Sequence, residues 1–558
     1  MFDKLEQVIL RTLKDKSKKR LVLWTTLATF ALSVLMIPTE LVLAKMLPGK
    51  SNDTFNIYIN LPSGSSISQK QEVAQCVIGY VQKEKEVLDT EVFLGMGSPL
   101  DFAGLIKGSH FKNSENLAEV VLNLSKKHDR QEPSYMMVQR MRPLITSSCE
   151  KIYTGTSIKF VEPPAGPPVM AAIVAEIHGQ DAEGIRRLAN KVEDVFKKTP
   201  GLVDIDIMQD EIYNSFEIRV DSIKIAKSGL SVKQVNEILY LAFEGMEIAV
   251  KNSSLYDDQI PIFLTLSSET KEFSSKSKSA IEAKLASLRL MNAQGMMVPI
   301  TEIVDVVPVK SNPMIMTKNL HQMTNVLAET DMLSQVYPLM DARNLILETF
   351  SDAYEITKTG LFNLQLTDKK SQKIYKLIWD GEMEVTLDTF AELGAAFIAA
   401  LILIFLLMVI YYKSFKLSGI ILLGSFLSII GVIIGHFIMD IFTKDTFFLT
   451  ATSLIGFIAL IGISSRNSLL LLDFTKSLVF EKGMEQKEAI AYATATRAKP
   501  IFLTAVAIIL ASTLLASDAL FGGLGVALIF GTIAAVAASL IVVPVLMDNT
   551  DLKKEFTH

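Results

Sequence analysis

Arg466 is the residue in this 558-residue chain whose type and position most demand a chemical explanation. It is the one charge interrupting an apolar run from Thr446 to Leu472. A helix rises ~1.5 Å per residue, so about 20 residues cross a ~30 Å hydrocarbon core, and this run is long enough to do so. An arginine inside such a helix costs about 2.5–3.5 kcal/mol on insertion scales, so it normally faces a bundle interior and finds a partner. A guanidinium does not release its proton near neutral pH. Its chemistry is that of a fixed counter-charge, which depresses the pKa of a facing acid. The competing reading is snorkelling: Asp473 lies ~10 Å further along the helix, so the side chain can run towards the headgroups. Asn467 and Ser468 place hydrogen-bonding groups beside Arg466, or act as ordinary glue between helices. Lys499 precedes Pro500, which suits the first turn of another helix. Lys499 by itself reads as a positive-inside anchor, and Thr504 lies one turn further in. His436, inside a third apolar run, is able to titrate but reads as a packing histidine.

These residues need helices to carry them. Apolar runs cover Leu21–Thr39 with Leu41–Ala44, Leu393–Tyr412, Leu417–Met439, Thr446–Leu472, Pro500–Ser517 and Ala519–Met547, and we expect six transmembrane helices. Basic residues gather before the first run (Arg11, Lys14, Lys16, Lys18, Lys19, Arg20), at Lys413 and Lys416, between Lys476 and Lys499, and at Lys553 and Lys554. The positive-inside rule then puts both termini in the cytoplasm and the long segment from about 46 to 392 outside. Val42-Leu43-Ala44 has the small-residue spacing a signal peptidase reads, but the long basic segment before it and the apolar stretch around it favour a retained helix. Phe2, Leu5, Val8, Ile9 and Leu13 share one helical face, which fits either an interfacial amphipathic helix or a plain cytoplasmic tail.

The long outer segment reads as two related modules. Phe55, Ile57, Ile59 and Leu61 alternate as on a strand. A helix Ile67–Glu84, strands Glu91–Met96 and Ala118–Leu124, a helix Ser134–Ser148 and a strand Ser157–Val161 follow, the split βαβ order. Four prolines in Glu162–Pro168 make a stiff extended connector. The pattern then restarts with strand Ala171–Ile177, helix Ala182–Lys197 and strand Val203–Ile207. Extra material resembling an inserted subdomain fills 209–317. Cys76 and Cys149 fall on the two helices of the first module; buried free thiols are the favoured reading, with a disulfide as the alternative. The expected layout is therefore a cytoplasmic segment 1–20, a first span 21–45, a first outer module 46–165, a second at 166–208 and 318–390, the insertion at 209–317, a five-helix bundle 391–547 and a cytoplasmic tail 548–558. The fold class is an α+β membrane protein of 1+5 helices with paired split-βαβ (ferredoxin-like) modules.

Composition narrows the function. The chain is 49% hydrophobic and 21% charged, with a mean hydropathy of +0.34, which excludes disorder over most of its length. Its 55 basic and 60 acidic residues leave a net charge of −5, with no basic excess to wrap nucleic acid. No Walker sequence, His-Glu-x-x-His, nucleophile elbow or dinucleotide fingerprint is present, so the sequence suggests no enzyme, no ATP-driven pump and no cofactor. Among 23 methionines, Met314, Met316 and Met323 with His321, and Met136, Met137 and Met141, form groups of a kind that binds soft metal ions. Core packing or an adaptable apolar surface is the favoured reading, and we expect no metal site.

The run Gly456-Phe457-Ile458-Ala459-Leu460-Ile461-Gly462-Ile463-Ser464-Ser465-Arg466-Asn467 and its continuation to Asp473-Phe474 resembles the fourth helix in the C-terminal half of resistance–nodulation–division (RND) efflux transporters. Arg497–Ala505, Val542-Val543-Pro544-Val545-Leu546, the proline-rich Val161–Val169 run, Gly295–Pro299 and Trp379-Asp380-Gly381 are also similar to members of that family, in order along the chain. The resemblance implies a permease subunit of the bacterial inner membrane that exports small molecules by proton antiport, a multidrug-resistance type of function. It implies a relay drawn from Arg466, Asn467, Lys499, Thr504 and Asp473. In the family the paired proton-carrying aspartates belong to the N-terminal half, and no span here contains a pair of acids. We therefore expect a companion N-terminal-half subunit, a trimeric assembly in membrane lipid, and a periplasmic adaptor protein with an outer-membrane channel as further partners. The alternatives are a half-RND accessory subunit of protein export or an inactive C-terminal fragment.

Overall fold

In the computed structural model, placement is described for residues 2–49, 51–99, 102–107, 114, 116–163, 166, 168–255, 258–267, 271, 277–331, 334–443 and 446–556. Pro164, Ala165 and Pro167 of the expected proline connector lie outside the described residues. By backbone contacts the chain divides into two compact units, one formed by 1–208 with 315–558 and the other by 209–314.

The first unit opens with helix α1 (Phe2–Lys14), whose amphipathic face buries Ile9 and Leu13 against the membrane-type helices. Asp15 then caps helix α2 (Lys16–Leu35), its carboxylate accepting from the Ser17 N–H at 2.9 Å. Lys16, Lys18, Lys19 and Arg20 occupy the first turns of α2. That leaves an uncharged helical stretch of only about 22 Å by rise. The chain turns at 36–40 and runs on to pair Ala44 with Leu449. The expected first span is therefore shorter than the apolar run, because the helix stops at Leu35.

A four-stranded antiparallel sheet follows, in the order β2-β3-β1-β4, where β1 is Thr54–Asn60, β2 Val87–Leu94, β3 Leu117–Leu124 and β4 Ser157–Val161. Helices α3 (Ile67–Val81) and α5 (Ser134–Cys149) cover one face, and α4 (Phe102–Lys107) lies between β2 and β3 in sequence. Alternation explains the packing: Phe55, Ile57 and Ile59 of β1 are fully buried against Val73, Val77, Met137 and Ile145 of the helices. Strand β2 begins at Val87 rather than at Glu91, since it is an edge strand with no fully buried residue and little apolar alternation to mark its start. Cys76 and Cys149 form a disulfide that joins α3 to α5, so the expectation of free thiols is overturned. Two helices packed side by side on one sheet bring the sulfurs together, which spacing along the chain does not reveal.

The second sheet has seven strands: β5 (Ile173–Gly179), β6 (Leu202–Ile207), β13 (Met316–Lys318), β14 (His321–Thr330), β15 (Tyr354–Thr359), β16 (Asn363–Asp368) and β17 (Ile374–Asp380). Helix α6 (Ala182–Lys198), capped by Asp181, packs Ile185, Leu188, Val192 and Phe196 on it.

Between β6 and β13 lies the second unit. Its ribbon pairs β7 (Asn214–Val220) with β12 (Val304–Lys310). With the ribbon pack α7 (Ser222–Lys227), α8 (Val232–Phe243) and α9 (Lys278–Leu285), around Ile225, Val235, Leu285 and Ile300. Two hairpins, β8 (Met246–Lys251) with β9 (Ile260–Leu264) and β10 (Arg289–Met291) with β11 (Met297–Pro299), complete it. Every residue of β8 and β9 is exposed within the chain.

Back in the first unit, α10 (Val336–Phe350) adds Leu339, Ala342 and Ile346 to the core of the second sheet. Gly381, at φ 88°, then turns the chain from β17 into the bundle. There its missing Cβ leaves room for the Ala171 carbonyl. Among the described residues, five helical segments are long and apolar enough to cross a membrane. They are α11 (Glu382–Tyr412), α12 with α13 (Phe415–Phe426 and Ser428–Phe442, interrupted at Leu427), α14 (Ala451–Phe480), α15 (Gln486–Ala516), and α16 with α17 (Gly522–Ala537 and Val543–Asp548, joined by a π-turn). Small residues set the crossings: a Cβ on Gly431 would meet the Phe530 carbonyl oxygen at 2.2 Å, and one on Gly435 the Phe530 side chain at 2.6 Å. Pro500, expected in the first turn of a helix, lies well inside α15. The run from Gln486 is already helical there, and buried Ala489, Ile490 and Ala493 hold it against its neighbours.

Candidate functional site

Helix α14 presents two sides. Ser464, Asn467 and Ser468 are buried, and the Ser464 hydroxyl donates to the Gly424 carbonyl at 3.3 Å. Ser468 Oγ is buried without a hydrogen-bond partner among the described residues. Arg466, in contrast, is exposed on the surface of this chain's own bundle and makes no ion pair among the described residues. The expectation that it turns into the bundle interior is thus not met: the inward side of α14 is taken by serines and leucines that pack closely on α12 and α16. Asp473 is not its mate, since Asp473 accepts from the Tyr412 hydroxyl at 2.6 Å. Lys499 and Thr504 are also exposed, and the Thr504 hydroxyl donates back to the carbonyls of Pro500 and Ile501. Of the five sequence-predicted residues, then, Asn467 is buried, Asp473 is half-buried and held by a tyrosine, and three lie on outward-facing surface. His436 is fully buried, its ring nitrogens 2.8 Å from the Val432 carbonyl and 2.8 Å from the Ser453 hydroxyl, as a packing histidine would be.

A cavity of about 380 Å³ lies where the two sheets meet the end of the bundle. Its floor is made by Phe447, Phe448 and Thr450 before α14 and by the turn at Ser517–Gly523. Its walls include Tyr135 and Arg142 of α5, Phe160, Glu162, Lys107 and Glu329. Arg142 reaches from the first sheet layer to the second: its guanidinium donates to Asp204 at 2.8 and 3.1 Å and to Asp331 at 3.1 Å. Lys159 of β4 meets Asp206 of β6 at 2.5 Å, and Lys107 of α4 meets Glu329 of β14 at 2.5 Å. Asp204 holds a left-handed φ of 50°, uncommon outside glycine, and also accepts from the Phe160 N–H at 2.9 Å. Burial raises its carboxyl pKa above the usual range, against the pull of Arg142. Glu162 accepts from the Ser134 hydroxyl at 3.1 Å. Burial, reinforced by the nearby charges of Glu329 and Asp204, pushes it up to about 7, while Ser134 and Arg142 pull the other way. This cluster leaves no mark in the spacing of residues along the chain. Glu162 entered the sequence reading merely as the first residue of the proline connector, and nothing in the spacing joined it to Arg142, Asp204 or Lys107.

The mixed sheets and the five helical segments long and apolar enough to cross a membrane describe a multi-pass membrane protein. Residues 1–548 match the family model described as the AcrB/AcrD/AcrF family, and the chain belongs to that family of RND permeases, which are transporters and not enzymes. Relatives include the swarming motility protein SwrC of Bacillus subtilis, 25% identical over 381 residues, covering 67% of this chain and 32% of that protein. The cobalt-zinc-cadmium resistance protein CzcA of Cupriavidus metallidurans is 21% identical over 400 residues, covering 69% and 34%. A solved heavy metal efflux pump superimposes with a TM-score of 0.70 at 18% identity, over 97% of this chain and 51% of that one. That likeness establishes the fold. The chain matches about a third of these relatives' length and about half of the pump's.

Proposed function

We propose that this chain supplies the C-terminal-half machinery of an RND-type efflux permease that exports small molecules by proton antiport. The observation that carries the reading is Arg466: a guanidinium exposed within a membrane-crossing helix and lacking an acidic partner among the described residues. Left facing lipid it would cost about 2.5–3.5 kcal/mol, and a second helical bundle bearing an acid removes that cost. The companion is an N-terminal-half subunit, and its acid is the proton carrier whose pKa Arg466 lowers. Lys499 and Thr504, on exposed surface of α15, and Asn467 and Asp473 on α14 belong to the same relay.

The family match over residues 1–548 favours efflux over an accessory role in protein export. The strand order of the first sheet, with two helices on one face, supports the split-βαβ reading of the outer modules, and α2 serves as the sixth, first span. The outer modules and the 209–314 insertion then lie in the periplasm, with the cavity taking in the substrate. The fully exposed β8–β9 hairpin supports a trimeric assembly, which works with a periplasmic adaptor and an outer-membrane channel.

A photo-crosslinking residue at position 466, expressed in native membranes, tests the companion directly. The expected product is a protein adduct within a transmembrane segment that contains an aspartate or glutamate. Adducts to lipid alone would overturn the reading.

A further inference from the structure

The charged seam between the two sheets is more than a set of struts. Arg142, on α5, is the clamp: one guanidinium holds Asp204 at 2.8 Å and Asp331 at 3.1 Å on the far side of the seam. Its ring neighbour Phe160, 5.6 Å from the guanidinium carbon, keeps it extended over the gap. Glu162 stands beside this clamp, at the start of the chain that connects the two sheets, and lines the same cavity.

Charges face Glu162 from every element around it. Helix α5 offers Ser134 and Arg142, and β6 offers Asp204 with Asp206 close by. From β14 and the residue after it come Glu329 and Asp331, and from α4 comes Lys107, already held by Glu329. Lys159 on β4 is occupied by Asp206, and Glu150 after α5 accepts from the Ile158 N–H. Below, Lys45 and Glu382 line the cavity towards the bundle.

We propose that this cluster is a proton-operated latch: with a proton on Glu162 the clamp from Arg142 to Asp204 and Asp331 holds the two sheets together over the cavity, and loss of that proton lets the seam part. The inference rests on the permease reading for its use, as control of access to the cavity. Its physics is local. An ionised Glu162 in this place faces Asp204 and Glu329 as like charges with little water. It has two ways out, to draw water in by parting the sheets or to draw Arg142 away from the aspartates, and both loosen the seam. Asp204, held in a left-handed backbone conformation by the Phe160 N–H and the clamp, relaxes when either is lost. The Glu162 carboxyl is raised in the closed state, to about 7, and returns to the ordinary carboxyl range when solvated. The closed state therefore binds more protons. Its advantage is complete at acidic pH and falls by up to about tenfold per pH unit until the pH passes about 7.

Spin labels at exposed Leu88→Cys and Lys198→Cys, in the full chain in lipid nanodiscs, report the distance between the sheets, because the native cysteines are already bonded to each other. The short-distance population should fall between pH 6 and pH 8. Glu162→Gln, which keeps a partner for Ser134 but cannot ionise, should stay closed throughout. Arg142→Gln should be open at both pH values. A pH response in Glu162→Gln equal to that of the unsubstituted chain, or no response in the unsubstituted chain, overturns the latch. Distances that move with pH in a chain that still exports nothing in proteoliposomes with its companion half would remove the permease reading and leave the latch standing. Steady distances in an active exporter would do the reverse.

Discussion

At the scale of single residues, charge placement in low dielectric does most of the work. Arg466 is kept charged by its own chemistry, so its effect must appear in whatever faces it. Replacing it with alanine should leave the chain folded and membrane-inserted, because its side chain is exposed and makes no ion pair among the described residues. In proteoliposomes with the proposed companion half, Arg466→Ala should raise the pH midpoint of the proposed proton-coupled export by about one to three units, since removing a nearby cation raises a carboxyl pKa. Fluorescent-substrate efflux recorded across a pH series measures this, and an unmoved midpoint would take Arg466 out of the relay.

At the scale of elements, two contacts decide how helices hold together. The Cys76–Cys149 disulfide ties α3 to α5 across a sequence separation of 73 residues. By loop-closure entropy, such a staple stabilises the first sheet layer by about 4 kcal/mol. Replacing both cysteines by alanine should lower the thermal midpoint of the outer domain while leaving the helical signal of the membrane bundle unchanged, as circular dichroism in detergent can follow. The second contact is the approach of α13 to α16 at Gly431, where any Cβ strikes the Phe530 carbonyl. Gly431→Leu should destabilise the bundle by roughly 1–3 kcal/mol or more through forced backbone movement. A thermal shift no larger than that of a lipid-facing control such as Leu514→Ala would show that the two helices are not packed as described.

At the scale of the whole molecule, exposed apolar surface carries the prediction. The β8–β9 hairpin leaves Ile248, Ile262 and Phe263 exposed among the described residues. An exposed apolar ribbon of this kind marks a protein contact or an aggregation hazard. If it serves the proposed trimer, the double substitution Ile262→Asp and Phe263→Asp should shift the purified protein from trimer to monomer in native mass spectrometry without lowering its melting temperature. Trimers that persist unchanged would place the interface elsewhere. The latch belongs to this scale as well, since it depends on two sheets moving relative to each other and not on the strength of one ion pair.

The membrane helices, the strands of the outer segment and the family itself were legible from the sequence, because hydrophobic periodicity and length are local properties. Phe55, Ile57 and Ile59 alternate as a half-buried strand must, and the run from Leu393 to Tyr412 is too long and apolar for anything but a membrane helix or a buried core. The sequence also singled out Arg466, since a charge in an apolar run is visible without coordinates. It could not say which way Arg466 faces, because α14 has polar residues on more than one side and the packing of Gly424 and Leu460 decides which side turns in. It misjudged Cys76 and Cys149 for the same reason: helices far apart in sequence are set side by side by a common sheet. The seam of Arg142, Glu162, Asp204 and Glu329 is assembled from four elements spread over nearly 190 residues. Such long-range pairings are fixed by tertiary packing alone. Burial then determines which of those charges keep their ordinary proton affinity, because desolvation depends on neighbours in space and not along the chain.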